Sequence, residues 1–212
     1  MRVETVYCSG MKKEIKFPTK QEVDVHINQN RTELFSDPDF REYEEVDIIF
    51  LEPTQLIALR DYPPLHSPEA FTVYRKKFVA GERVEPIVVI PSRIVIEYLK
   101  KNEVRAHTYR QELELFLNTH PRATYFMLGG KHRSAAATIL GVRIPCLVIS
   151  NDADVAKINA LMAEGKLTGM PSVGENFKRT LSELDDHYFE HKVFWTMDEK
   201  TKAMIDHGDI SL

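Results

Sequence analysis

The stretch Leu128-Gly129-Gly130-Lys131-His132-Arg133-Ser134 constrains this chain more than any other. It follows an apolar run, residues 123–128, that reads as a strand. It precedes residues 131–140, which read as a helix closed by Gly141. Two glycines permit a tight turn with backbone angles that other residues avoid, and glycine at 141 suits a left-handed C-terminal cap. The first turn of a helix offers free N–H groups and partial positive charge, so it attracts anions. The same dipole repels cations, yet Lys131 and Arg133 stand there with His132 between them. An anion held by the turn would offset that repulsion. Ala135-Ala136-Ala137 then gives the helix a slim face that can lie close to a sheet. The spacing of glycines and lysine is not that of the phosphate loop of common nucleoside triphosphatases. The plainer alternative is a strand–turn–helix whose charges are only solvated.

The flanking pattern predicts an α/β fold, a small mixed sheet with helices. Val46-Asp47-Ile48-Ile49-Phe50-Leu51 reads as a buried strand, and Glu52-Pro53-Thr54 turns the chain. Ser67-Pro68-Glu69 is a strong helix start, and the helix to Gly81 carries Phe71, Tyr74, Phe78 and Val79 on one face. Residues 84–90 are rich in β-branched residues and predict a strand. Residues 91–120 predict one or two helices inserted between strands, outside the sheet. Residues 143–149 predict the closing strand, and 152–164 and 175–192 predict helices. Upstream, residues 2–8 and 12–17 alternate as a hairpin does around Ser9-Gly10. Residues 21–43 read as an irregular lead-in. The expected division is 1–45 as hairpin and lead-in, 46–150 as the core module, and 151–212 as a helical extension.

Three of these segments together resemble the ParB/sulfiredoxin-like superfamily. In that family a strand runs into a turn of the form Gly-Gly-Cys-His-Arg (sulfiredoxin), Gly-Glu-Arg-Arg (ParB partition proteins) or Asp-Gly-His-His-Arg (free-serine kinases). Gly81-Glu82-Arg83-Val84-Glu85-Pro86-Ile87-Val88-Val89 is similar to its Gly-x-x-x-Pro-Ile-x-Val strand. Gly141-Val142-Arg143-Ile144-Pro145-Cys146-Leu147-Val148 is similar to its exit strand. The resemblance covers about half the chain, with 91–120 as an insertion. It implies a phosphate cradle at Gly129, Gly130, Lys131, His132, Arg133 and Ser134. It does not carry over any one chemistry. Lys131 stands where sulfiredoxin has its catalytic cysteine and where ParB has a glutamate. Gly129 and Gln55 stand where the serine kinases have acids.

The expected function is therefore nucleotide or phosphate binding, extending to hydrolysis of a nucleoside triphosphate such as ATP or to phosphoryl transfer, with Mg²⁺. Lys131 and Arg133 would neutralise phosphate, and His132 would donate a hydrogen bond or carry a proton. On this reading Arg133→Ala weakens ligand binding and leaves the fold nearly unchanged. The rival is a non-catalytic DNA-associated or regulatory module using the same turn, and a third reading makes the cradle vestigial. A net charge of −4 weighs against DNA.

Other candidates are weaker. His187-Tyr188-Phe189-Glu190-His191 matches the H-x-x-E-H spacing of some zinc peptidases. Few residues follow to supply a third ligand, so a solvated helix face beside Asp185 and Asp186 is the expectation. His107 and His120 flank the insertion without a nameable partner. Trp195 with Phe194 and Val193 predicts apolar packing. Asp61, Glu82 and Glu85 are acids that could hold a metal near phosphate. Two cysteines form no framework, and Cys146 in its apolar run predicts a buried, inert thiol. The N-terminus lacks a signal-peptide profile, and no apolar run approaches the ~20 residues of a membrane span. The expectation is a soluble, cytoplasmic protein.

Overall fold

The computed structural model describes residues 2–8, 11–17, 43, 46–58, 68–101, 103–169, 171–191 and 193–210. The chain forms two compact units, 1–42 and 43–212. The first holds an antiparallel hairpin of β1 (Arg2–Cys8) and β2 (Met11–Phe17), with Arg2 opposite Phe17 and Cys8 opposite Met11. The lead-in lies outside the described residues except for Tyr43, which is fully buried and donates its hydroxyl to the Lys166 carbonyl at 2.7 Å.

The second unit is built on one mixed sheet. Its strands are β3 (Ile48–Leu51), β4 (Leu56–Ala58), β5 (Ile87–Pro91), β6 (Tyr125–Met127), β7 (Ile144–Val148) and β8 (Trp195–Thr196). They stand in the order β3-β7-β5-β6-β4-β8. Every residue of β5 is buried, so both faces of the sheet's centre are covered. That explains why Ile87-Val88-Val89-Ile90 reads as a continuous apolar run without alternation. β5 runs parallel to β7 and antiparallel to β6.

The expected insertion leaves the sheet between two adjacent strands. It consists of α2 (Ser92–Lys101) and α3 (Glu103–Thr119). The Ser92 N–H donates to the Thr124 carbonyl at 2.8 Å and ties its two ends together. Before β5 comes α1 (Pro68–Ala80), which turns Phe71 into the core. Its apolar face is narrower than the sequence suggests, since Val79 is 45% exposed. The expected cap, Ser67, lies outside the described residues.

After β6 the chain passes the glycine turn into α4 (Lys131–Leu140). Ala135, Ala136 and Ala137 are all fully buried. A helix with only methyl groups on one face can approach its neighbours closely, and α4 lies against α1 and β7. Residues 151–212, read from the sequence as an extension, belong to this same unit. They supply α5 (Asp152–Ala163), capped by Asn151 Oδ1 accepting from the N–H groups of Ala153 and Asp154, and α6 (Phe177–His191). They also supply β8 and α7 (Met197–Asp206), neither of which the sequence reading predicted. β8 pairs with β4 at the sheet edge, and α7 lies against α4. Among the described residues no helix is long and apolar enough to cross a membrane.

Candidate functional site

β6 ends at Met127, and Gly130 takes left-handed angles, φ 81° and ψ 23°, immediately before α4. One of the two glycines was expected to have a positive φ, and it is Gly130. Space enforces glycine there as firmly as backbone angle does: a Cβ at 130 would stand 2.2 Å from Ile87 Cγ2. At Gly129 a Cβ would press on the Pro171 backbone, 3.1 Å from its Cα. The Ser172 N–H donates to the Leu128 carbonyl at 2.6 Å, so the 171–172 segment runs directly beside the turn.

The turn opens into a cavity of about 380 Å³. Gly129, Gly130, Lys131, His132 and Arg133 form one side of it. Ala58, Met127, Leu128 and Met197 give it apolar wall, and Tyr74 an aromatic one. Ser134, grouped with the cradle on sequence, is fully buried and is not part of this wall; among the described residues its hydroxyl has no hydrogen-bond partner.

Arg133 lies in the wall but is 5% exposed and holds backbone rather than facing solvent. Its Nη1 donates to the carbonyls of Glu85 and Pro86 at 2.9 and 2.8 Å, and its Nη2 to that of Thr168 at 3.1 Å. The guanidinium sits 5.6 Å from the centre of the Tyr74 ring, and the Glu85 carboxylate is 3.8 Å from Nη1. Gly169, at φ 80°, lets the loop come this near, since a Cβ there would touch Arg133 Nη2 at 3.0 Å. Arg133 thus joins three chain segments, α4, the approach to β5 and the 168–169 loop. Three of its five N–H donors are spent on carbonyls. The expectation that its loss would leave the fold nearly unchanged does not follow from this geometry.

Lys200 is the residue the sequence reading missed. It sits on α7, is only 2% exposed, and lines the cavity. Nothing local to Lys200 distinguishes it from neighbouring Lys202, which is exposed. The signal for its helix was present, in the Thr196-x-x-Glu199 spacing of a helix start.

The remaining candidates separate. His120, without a nameable partner in the sequence, has one in space: its Nε2 is 2.9 Å from Glu199 Oε1, and its ring stacks on Phe116 at 4.3 Å. Burial works against the Glu199 carboxylate. The N–H and hydroxyl of Thr196, with His120, outweigh it and hold the Glu199 carboxyl below the usual glutamate range. Glu85 accepts from the Thr168 N–H and hydroxyl, while Glu82 is exposed and Asp61 lies outside the described residues. Beside the H-x-x-E-H stretch, Asp185 is 6% exposed; within the stretch only the His187 side chain is described, and it is partly buried. The side chains of His107, Glu190 and His191 lie outside the described residues. Phe194 is buried against Phe116 and Phe126, as expected of an apolar knot. Cys146 is fully buried, as expected, and burial pushes its thiol far up. Among the described residues no group of three His, Cys, Asp or Glu is placed to hold a metal.

Comparison with protein-family models, with curated proteins and with solved structures returns no match.

Proposed function

We propose that the cavity binds a phosphorylated small molecule, a nucleotide foremost, with its phosphate on the first turn of α4. The observation that carries this reading is the opening of that turn, through left-handed Gly130, into a cavity whose charged wall includes Lys131, His132 and Lys200. Backbone N–H groups and the helix dipole favour an anion there. The volume of about 380 Å³ lies within the ~300–1,000 Å³ of ordinary small-molecule sites. Apolar residues on the remaining wall suit an organic group attached to the phosphate. The resemblance to the ParB/sulfiredoxin-like superfamily supports the same end of the cavity.

In this reading Lys131 neutralises charge and His132 donates to a phosphate oxygen, or carries a proton if the ligand is hydrolysed or its phosphoryl group transferred. Arg133 acts at one remove, fixing the turn. In this reading Mg²⁺ enters as the counter-ion that a nucleoside triphosphate brings.

A thermal-shift screen of ATP, ADP, AMP, adenosine, pyrophosphate and inorganic phosphate, each with and without Mg²⁺, tests the reading. A rise in Tm that saturates with at least one organic phosphate and is absent with the bare nucleoside is expected. No response to any phosphate, beside salt-sensitive binding to duplex DNA, would favour the DNA-associated alternative instead.

A further inference from the structure

The glycine turn does not stand alone at its end of the cavity. Residues 168–169 and 171–172, from the connection between α5 and α6, are drawn against it. Thr168 gives its carbonyl to Arg133 Nη2 at 3.1 Å, while its N–H and hydroxyl donate to the Glu85 carboxylate. The Ser172 N–H donates to the Leu128 carbonyl at 2.6 Å. The approach is close enough to leave no room for side-chain carbon at two positions. A Cβ at 129 would stand 3.1 Å from Pro171 Cα, and one at 169 would stand 3.0 Å from Arg133 Nη2. Connecting segments usually run loosely over the surface, and those that carry function are held in place by the scaffold. This one is held, and what it presents at the turn is Ser172. Ser172 is exposed and lines the same cavity as Gly129, Gly130 and Lys131. Its backbone is fixed on Leu128, yet its hydroxyl makes no hydrogen bond among the described residues. The polar group that the ties bring to the cavity is thus not spent on the fold.

Resting on the phosphate-binding reading, we propose that Ser172 is a direct ligand of the bound phosphate, its hydroxyl donating to an oxygen that the α4 turn leaves free. The anion end of the cavity then has two parts. The first turn of α4 supplies backbone N–H groups, and the connection after α5 supplies a neutral hydroxyl from outside the glycine motif. The ligand class is a terminal phosphate, whose tetrahedral oxygens point in several directions and can be met from two chain segments at once. Because the Ser172 hydroxyl has no hydrogen bond within the protein to lose, removing it changes binding and leaves the fold as it is.

The experiment is titration calorimetry of the full chain with AMP and with adenosine, beside melting curves without ligand. Ser172→Ala is expected to weaken AMP binding roughly tenfold, as for loss of a hydrogen bond to a charged group. Its adenosine binding and its ligand-free Tm are expected to match wild type. Ser172→Thr, which keeps the hydroxyl, is expected to bind AMP nearly as wild type does. If Ser172→Ala binds AMP as tightly as wild type, the assignment of Ser172 is overturned. Equal losses for AMP and adenosine overturn it as well, because they mark a change in cavity shape and not a lost phosphate contact. A lower ligand-free Tm for Ser172→Ala also counts against it, since the hydroxyl would then serve the fold. Wild type that binds AMP no better than adenosine fails the phosphate reading itself, a result distinct from the other three.

Discussion

His120 Nε2 lies 2.9 Å from Glu199 Oε1, joining the end of the helical insertion to the first turn of the last helix across 79 residues of sequence. The same carboxylate accepts from the Thr196 N–H at 2.8 Å and hydroxyl at 2.9 Å, so one glutamate both starts α7 and ties it to α3.

That relationship predicts a specific acid sensitivity. The Glu199 carboxyl is held below its usual value in the folded protein. Its contribution is therefore fully present above the unfolded value of about 4.3 and is lost as pH falls through the lower folded value. Glu199→Gln should flatten the dependence of stability on pH below 5, measured by urea unfolding at pH 6, 5, 4 and 3. At pH 7 it should cost about 1 kcal/mol, because solvent screens a half-exposed pair. An unchanged slope would show that the carboxylate is not held as described.

Gly130→Ala should be severely destabilising, by roughly 2–4 kcal/mol, from left-handed backbone strain plus overpacking. Ile87 Cγ2 occupies the place of the new Cβ. The double variant with Ile87→Ala should cost clearly less than the sum of the two single changes, as for residues that share one space. Chemical denaturation of the four proteins measures this. Strict additivity would mean that the turn relaxes away from the sheet.

Arg133→Lys should not behave conservatively. One ammonium cannot replace the planar fork that reaches the carbonyls of Glu85, Pro86 and Thr168. A loss of about 2–4 kcal/mol is expected without any ligand, since buried carbonyls lose their donors. A Tm equal to wild type would return Arg133 to the role of a direct ligand contact.

Cys146 should resist alkylation in native buffer and react only as the protein unfolds, because its thiol is buried and its ionisation suppressed. Mass spectrometry of iodoacetamide-treated protein across a urea series reads this directly. Modification well below the unfolding midpoint would contradict the burial.

The elements legible in the sequence are those with local punctuation. Pro68 opens α1, Gly141 closes α4 at φ 67°, and the Gly129-Gly130 pair marks the turn with its cationic first helical residues. What escaped reading lacks such signals or depends on distant partners. Leu56-Ile57-Ala58 is three residues long, and β8 only two. The first is a strand only because it lies between β6 and β8, and β8 only because it pairs with β4. The cationic turn suggested its own ligand chemistry, but Arg133's hold on the carbonyls of Glu85, Pro86 and Thr168 was not legible, because they lie 35 to 48 residues away. Lys200 was invisible for the same reason, since burial of a lysine in a polar-looking helix is decided by what folds over it.

The position of α7 sets an order of events during synthesis. Chains that have emerged only to residue 150 already contain β3 to β7 and the glycine turn, but neither β8 nor the helix bearing Met197 and Lys200. With domains made at about 5–20 residues per second, tens of residues separate the two walls by seconds. During that interval the sheet edge at β4 is unpaired by β8, and the apolar wall beside Met127 stands open to water. A ribosome paused between residues 150 and 195 therefore holds out a nascent chain with an unpaired sheet edge and half a cavity.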